Sequence, residues 1–213
     1  MYVMGPARFT NIVTSEAALR QLVGVPSEVV RYKQLSSLDQ QCQEFISVSP
    51  FLLMATTNSF GYCDVSPRGD APGFVQVLDD LTLVIPERSG NRRVDTLGNI
   101  IQVGSIGLLF LIPGEKEALR VNGRACVIRD EAILARSTVQ GQQPLLGIGV
   151  EVEEAFIHCT KAIERSRLWE QAGWQEMSES PSISQILQNQ TCIADIATQK
   201  INAYLEEDCK YLY

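Results

Sequence analysis

The sequence predicts an α+β protein, an antiparallel barrel or sandwich with helices at both ends of the chain. Three observations predict it. Six or more short apolar runs follow one another between about residues 51 and 159. Tight polar turns join most of them, which favours hairpin pairing. Few connections are long enough for a crossover helix, and a parallel sheet needs one at nearly every step.

The elements follow in order. Ser15 before Glu-Ala-Ala-Leu-Arg-Gln-Leu is a helix start with a capping serine. Ser37 precedes a second helix carrying Leu38, Cys42, Phe45 and Ile46 at helical spacing. Phe51–Thr57 is a strand, and Asn58-Ser59-Phe60-Gly61 turns it into a returning strand over 62–66. Strands over 74–78 and 82–85 flank an Asp79-Asp80 turn. Gly90-Asn91 opens a helix at about Asn91, with Val94, Leu97, Ile100 and Ile101 on its apolar face. Strands follow over 106–112 and 120–128, then a short helix over 131–137 capped by Asp130, then a long strand over 148–159. Helices close the chain around 161–170, 183–190 and 192–206. One domain over 1–213 is expected, with a sheet core at about 48–170, N-terminal helices over 15–47 and a C-terminal helical extension over 171–213.

Composition excludes several classes. With 213 residues, 45% hydrophobic and 20% charged, the chain can bury one sizeable core and is unlike a disordered sequence. A net charge of −7 argues against non-specific binding to nucleic acid or anionic membranes. No apolar run approaches the roughly 20 residues of a membrane span. The first residues lack the charged and apolar regions of a secretory signal, so a cytoplasmic protein is expected. Six cysteines lie far apart with no C-x-x-C pair, which argues against both a disulfide framework and a zinc site. Reduced thiols and no metal are expected.

Arginine outnumbers lysine 13 to 5, and seven of the arginines fall between Arg68 and Arg129. Guanidinium forks suit phosphate and carboxylate, or they serve surface ion pairs. Spacing sharpens the choice in Ile85-Pro86-Glu87-Arg88-Ser89-Gly90-Asn91-Arg92-Arg93. A strand ends, a turn follows and a helix is expected to begin, so free N–H groups and the positive dipole end converge on Asn91–Arg93. Two cations there conflict with the dipole unless an anion binds. Alternatively both point to solvent or pair with Glu87 and Asp95. The stretch from Asp64 to Phe74 holds two prolines and two glycines, either a functional loop or a rigid connection. Lys161, Arg165 and Trp169 recur every four residues and would share a helix face, over a ligand or in solvent. His158 is the only histidine, and strand neighbours point to opposite faces, so it does not pair with Cys159 as a nucleophile couple.

Together and in this order, the segments D-V-S-P-R-G-D-A-P-G-F, V-L-D-D-L-T-L-V-I-P-E-R, G-N-R-R-V-D-T-L-G-N-I, L-L-F-L-I-P-G, L-R-V-N-G-R-A and F-I-H-C-T-K-A-I-E-R-S-R-L-W resemble the pyridoxamine 5′-phosphate oxidase-related family of FMN-binding split-barrel proteins. The likeness spans about Phe51 to Trp169 and is similar to a bacterial branch of that family. It implies a six-stranded antiparallel split β-barrel with flanking helices, and a homodimer holding two FMN molecules at the subunit interface. The phosphate-gripping basic pair falls on Arg92 and Arg93, beside Asn91. Strand residues under the flavin fall on Val65, Ser66 and Ile85, with Arg68 nearby. Lys161, Arg165 and Trp169 would come from the partner subunit. The family's vitamin B6 enzymes carry a final arginine- and histidine-containing segment, whereas this sequence ends in an acidic stretch and Tyr211-Leu212-Tyr213. The resemblance therefore implies an FMN-dependent oxidoreductase of another small-molecule substrate, without pyridoxamine phosphate oxidation. The alternatives are a flavin storage or sensing module without turnover, and a binder of another anionic cofactor such as a deazaflavin or haem.

Overall fold

The computed structural model describes residues 9–174, 182–191, 203 and 213. The helix expected over 192–206 falls almost wholly outside them. The chain forms two compact units, Met1–Gln34 and Leu35–Tyr213. The first holds two helices, α1 (Glu16–Val23) and α2 (Glu28–Tyr32). Ser15 caps α1 as its sequence suggests, accepting the Ala18 N–H at 3.2 Å. The α2 helix has no counterpart in the sequence reading.

The second unit begins with α3 (Gln40–Val48), whose cap is Asp39 rather than Ser37. The Asp39 side chain takes the Cys42 N–H at 2.8 Å, the three-residue reach of an N-cap, which Ser37 lies too far back to make. Strands β1 (Phe51–Thr57), β2 (Cys63–Gly69), β3 (Gln76–Val77) and β4 (Thr82–Pro86) follow, then helix α4 (Asp95–Gln102). Next come β5 (Ser105–Leu111), β6 (Ala118–Ile128), the short helix α5 (Glu131–Leu134) and β7 (Gly147–Ile157). Helices α6 (Lys161–Ser166) and α7 (Ile183–Thr191) complete the described elements.

All seven strands make one antiparallel sheet in the order β2-β1-β5-β6-β7-β4-β3. The sheet is of the split-barrel class. The sheet has seven strands where the resemblance implies six, and its edge strand β3 pairs over two residues only, where a longer strand over 74–78 is expected. The edges are β2 and β3, and Pro67 within β2 fits an edge, where a missing N–H breaks no ladder. Alternation along β1 turns Leu52 and Met54 inward beside Leu108 and Phe110 of β5, all essentially inaccessible. Ile46, Leu83, Ile85 and Ile148 close the same core.

Burial tunes one thiol. Buried Cys42 is pushed up to about 12 by desolvation and by the Asp39 side chain, so it stays a thiol at neutral pH. Cys63, Cys126 and Cys159 are exposed.

A bulge at Asn122/Gly123 shifts the register of β6 against β7. A Cβ added at Gly123 would run into the Glu151 carbonyl oxygen on the neighbouring strand. Backbone in a paired ladder cannot swing aside. Gly123→Ala is therefore expected to destabilise the fold by about 3 kcal/mol. A urea titration followed by circular dichroism checks this, and an unchanged midpoint would refute it.

Candidate functional site

A cleft of about 750 Å³ opens where the sheet fails to close, lined by β2, the segment from Glu87 to Leu97, residues 142–146 and Tyr213. Period-two alternation on β2 turns Asp64, Ser66 and Arg68 to one side, while Val65 is 61% exposed on the other. Two ion pairs cross from the end of β2 to the segment after β4. Arg68 Nη1 donates to Glu87 Oε1 at 3.1 Å. Arg88 Nε donates to Asp70 Oδ2 at 2.7 Å, and Arg88 Nη1 to the Ser137 carbonyl at 2.8 Å.

The Asp70–Arg88 pair is well made. The Asp70 side chain is 2% exposed, and the Tyr213 hydroxyl donates to its other oxygen at 2.9 Å. The Tyr213 ring lies 5.3 Å from the Arg88 guanidinium. Burial alone would push the Asp70 carboxyl up, but the Ala71 N–H, Tyr213 hydroxyl and Arg88 guanidinium together hold it below its usual value. The Arg68–Glu87 pair is poorly made. It has one contact, and both Arg68 Nε and Glu87 Oε2 are buried with no hydrogen-bond partner among the described residues. Burial raises the Glu87 carboxyl above its usual range despite the adjacent Arg68 guanidinium.

At the other end of the cleft, α4 begins four residues later than its sequence suggests. Its first residue is Asp95, and the preceding Val94 sits at φ 53° with no side-chain cap. Arg92 is also left-handed, at φ 61°, whereas Gly90, the residue suited to that conformation, is not. A β-branched residue at positive φ is strained, and such strain concentrates at functional sites. The Asn91 side chain shapes this loop by accepting the Arg93 N–H at 3.0 Å. The helix itself is held from below. Buried Asn99 donates to Thr56 Oγ1 at 3.0 Å, and buried Thr96 donates to Asp64 Oδ2 at 3.2 Å. Because the Thr96 proton goes to a carboxylate, the 3.1 Å contact between Ser66 and Thr96 has Ser66 donating, which leaves Ser66 lone pairs for the cleft.

Of the residues singled out from sequence, Ser66, Arg68, Asn91, Arg92 and Arg93 converge on this cleft. Arg92 has no ion pair among the described residues, while Arg93 Nε holds Asp95 Oδ2 at 2.8 Å in an exposed pair. Val65 and Ile85 do not line it, since alternation turns Val65 away and Ile85 is fully buried in the core. Lys161, Arg165 and Trp169 also lie outside the cleft. Nor do all three share a helix face, since α6 holds Lys161 and Arg165 but not Trp169. Arg167 takes a left-handed conformation and ends α6, and the Trp169 indole N–H instead donates to the Glu115 carbonyl at 2.6 Å. Sequence reasoning missed Glu87, Tyr213 and the wall over 142–146. The Gln-Gly-Gln-Gln-Pro run signals a turn for that wall but not its place.

A phosphate-bearing flavin is compatible with these residues. The cleft volume is within the usual range for a cofactor site. The uncapped start of α4 offers unsatisfied N–H groups next to Arg92 and Arg93 for a phosphate. Pro144, Leu145 and Leu146 offer an apolar wall for a ring system.

An open antiparallel sheet with such a cleft at its split defines a split-barrel protein. The pyridoxamine 5′-phosphate oxidase family model matches residues 38–159, more than half of the chain, and the chain belongs to that family. It is similar to the solved structure of HupZ from Group A Streptococcus, with 21% identity over 56% of this chain and 92% of that chain, at a TM-score of 0.46. It is similar to a protein related to general stress protein 26 from Clostridium acetobutylicum, with 14% identity over 55% and 85% of the two chains and a TM-score of 0.42. It is also similar to the FAD binding protein from Mycobacterium smegmatis, with 16% identity over 58% and 97% and a TM-score of 0.40. No curated protein matches the chain. No described helix is long and apolar enough to cross a membrane.

The Asp70–Arg88 pair gives a stability prediction. Asp70→Asn removes the charge partner of a mostly covered guanidinium, and the expected loss is about 3 kcal/mol at neutral pH. The folded carboxyl titrates below the unfolded value of 3.8, so the wild-type advantage is full above that value. It is lost as pH falls through the folded value, because the unfolded state then binds more protons. Urea titrations of both proteins at about pH 7 and about pH 2.5 check this, and a difference independent of pH would refute it.

Proposed function

We propose that the cleft binds flavin mononucleotide and that the protein is an FMN-dependent oxidoreductase of a small-molecule substrate. One observation carries the reading. Helix α4 starts without a side-chain cap at the cleft, directly after two arginines. An uncapped helix start is a standing cost that a bound phosphate would remove. The same phosphate would resolve the placement of Arg92 and Arg93 at the positive end of the dipole. Membership of the pyridoxamine 5′-phosphate oxidase family supports the ring chemistry.

When bound, the flavin supplies the hydride and electron chemistry, and the protein supplies position and electrostatics. Arg92 and Arg93 would grip the phosphate, with Arg93 exchanging its solvent-exposed Asp95 partner for a doubly charged one. Ser66, its proton committed to Thr96, would accept a hydrogen bond from a ligand hydroxyl or N–H. Leu145 and Leu146 would exclude water from one ring face. We propose further that the working form is a homodimer. Lys161 and Arg165, exposed and outside the cleft here, would reach the flavin of a second subunit. The exposed apolar side chains Val65 and Ile101 favour such contact.

A titration of FMN and riboflavin tests the phosphate grip. Arg92→Ala and Arg93→Ala are each expected to weaken FMN about tenfold to a hundredfold and leave riboflavin, which has no phosphate, nearly unchanged. Equal losses for both flavins, or none for either, would sink the assignment. Arg20→Ala, in the N-terminal unit, serves as the control.

A further inference from the structure

The Arg68–Glu87 pair is the part of the cleft that the phosphate grip leaves unexplained. Both side chains line the cleft and are only 21% exposed. An ion pair so covered normally recovers its desolvation through two parallel hydrogen bonds. This one has a single 3.1 Å contact, with a buried orphan atom on each partner. The adjacent Asp70–Arg88 pair, which is more deeply covered, has two guanidinium nitrogens on the carboxylate and the Tyr213 hydroxyl on its other oxygen. The contrast locates a pair held together weakly beside one held firmly.

The surroundings of Glu87 are accounted for on each side. Arg68 faces it from β2. Its chain neighbour Arg88 is turned to Asp70. Its own N–H is fixed on the Leu146 carbonyl at 3.0 Å, and the wall over 142–146 carries no charge. The remaining charged groups of the cleft are Asp64, Arg92, Arg93 and Asp95, together with the Tyr213 hydroxyl. Among the described residues, Arg68 is the cation that opposes the effect of burial on Glu87, and Glu87 is the carboxylate that pairs with Arg68.

We propose that Glu87 is the proton-carrying group of this cleft: when an anionic ligand enters, Arg68 turns its fork to the ligand and Glu87 takes up one proton from solvent. The charge balances. The phosphate that Arg92 and Arg93 grip carries about two negative charges; drawing Arg68 towards it leaves Glu87 without its cation, and a proton neutralises the carboxylate left behind. Two anions sharing one buried cation would otherwise repel. The neutral carboxyl then offers an O–H donor to the ligand, which an ionised carboxylate cannot do. Burial already biases Glu87 toward the protonated form. A group that loads a proton as the cofactor binds is placed to deliver it in a redox reaction that consumes protons. This rests on reading the cleft as an FMN site.

The test is calorimetric titration of FMN into the full chain at about pH 7, in two buffers of different ionisation enthalpy. Wild type is expected to take up more protons than the near-isosteric Glu87→Gln, by on the order of half a proton. Subtracting the variant cancels protons from the FMN phosphate, whose second pKa is about 6. Equal proton numbers in the two proteins would overturn the proposal while leaving the FMN site intact. Absence of any FMN binding to wild type would overturn both. Should Glu87→Gln fail to fold by circular dichroism, wild-type FMN affinity is measured from about pH 8 to about pH 6.5. It is expected to rise several-fold toward the lower pH, against the loss that phosphate protonation alone would cause. A flat or falling profile overturns the proposal.

Discussion

The structure depends on how an incompletely closed sheet is held together across its opening. Strands β2 and β3 are edges, so no ladder joins the β2 side to the β4 side. Two arginine–carboxylate pairs do this instead, and they run in opposite senses. Arg68 on β2 reaches Glu87 after β4, and Arg88 after β4 reaches Asp70 after β2. Swapping the charges across the gap makes each strand end both donor and acceptor, which fixes their relative position better than two pairs of the same sense. The cleft is therefore a consequence of closing the sheet with side chains rather than with backbone.

Helix α4 completes the closure and sets the polarity of the site. Thr96 and Asn99 bind it to β2 and β1, and Leu97 and Ile100 bury its lower face. With the helix anchored there, its start is forced to the cleft, and the short connection from β4 must accommodate two left-handed residues. Each costs on the order of 1 kcal/mol or more. That cost is sustained by the packing beneath. Strain, a missing side-chain cap and two arginines, one of them paired with Asp95 at the first helical position, coincide at one point.

Much of the fold is legible in the sequence because it rests on local signals. Alternation in β1 and β5, the Asp79-Asp80 turn, and the Ser15 and Asp130 caps act over a few residues. The errors arise where a distant contact wins. Turn chemistry favours a helix start at Asn91, but Thr96 and Asn99, five and eight residues further on, pin the helix to the sheet, and it starts four residues later, at Asp95. Trp169 fits a helical stripe by spacing, yet its indole is drawn to the Glu115 carbonyl, 54 positions away. The candidate site divides in the same way. Residues adjacent in sequence, such as Asn91, Arg92 and Arg93, could be found together. Glu87 opposite Arg68 and Tyr213 against Asp70 could not, because separations of 19 and 143 residues carry no periodic signal.

The arginine excess illustrates why partners, not composition, decide function. Four arginines line the cleft, and by residue type they are equivalent. Their surroundings separate them into three roles. Arg88 is spent on Asp70, the Ser137 carbonyl and the Tyr213 ring, and behaves as a structural clamp. Arg92 and Arg93 are exposed, one unpaired among the described residues and the other in an ion pair that water screens. Arg68 stands between these extremes, too covered to be a surface charge and too poorly matched to be a clamp. In a protein of net charge −7, the cleft lining sets these four arginines against three carboxylates, Asp64, Glu87 and Asp95. The firm pair keeps the sheet from coming apart, and the weak pair leaves one cation able to change partners.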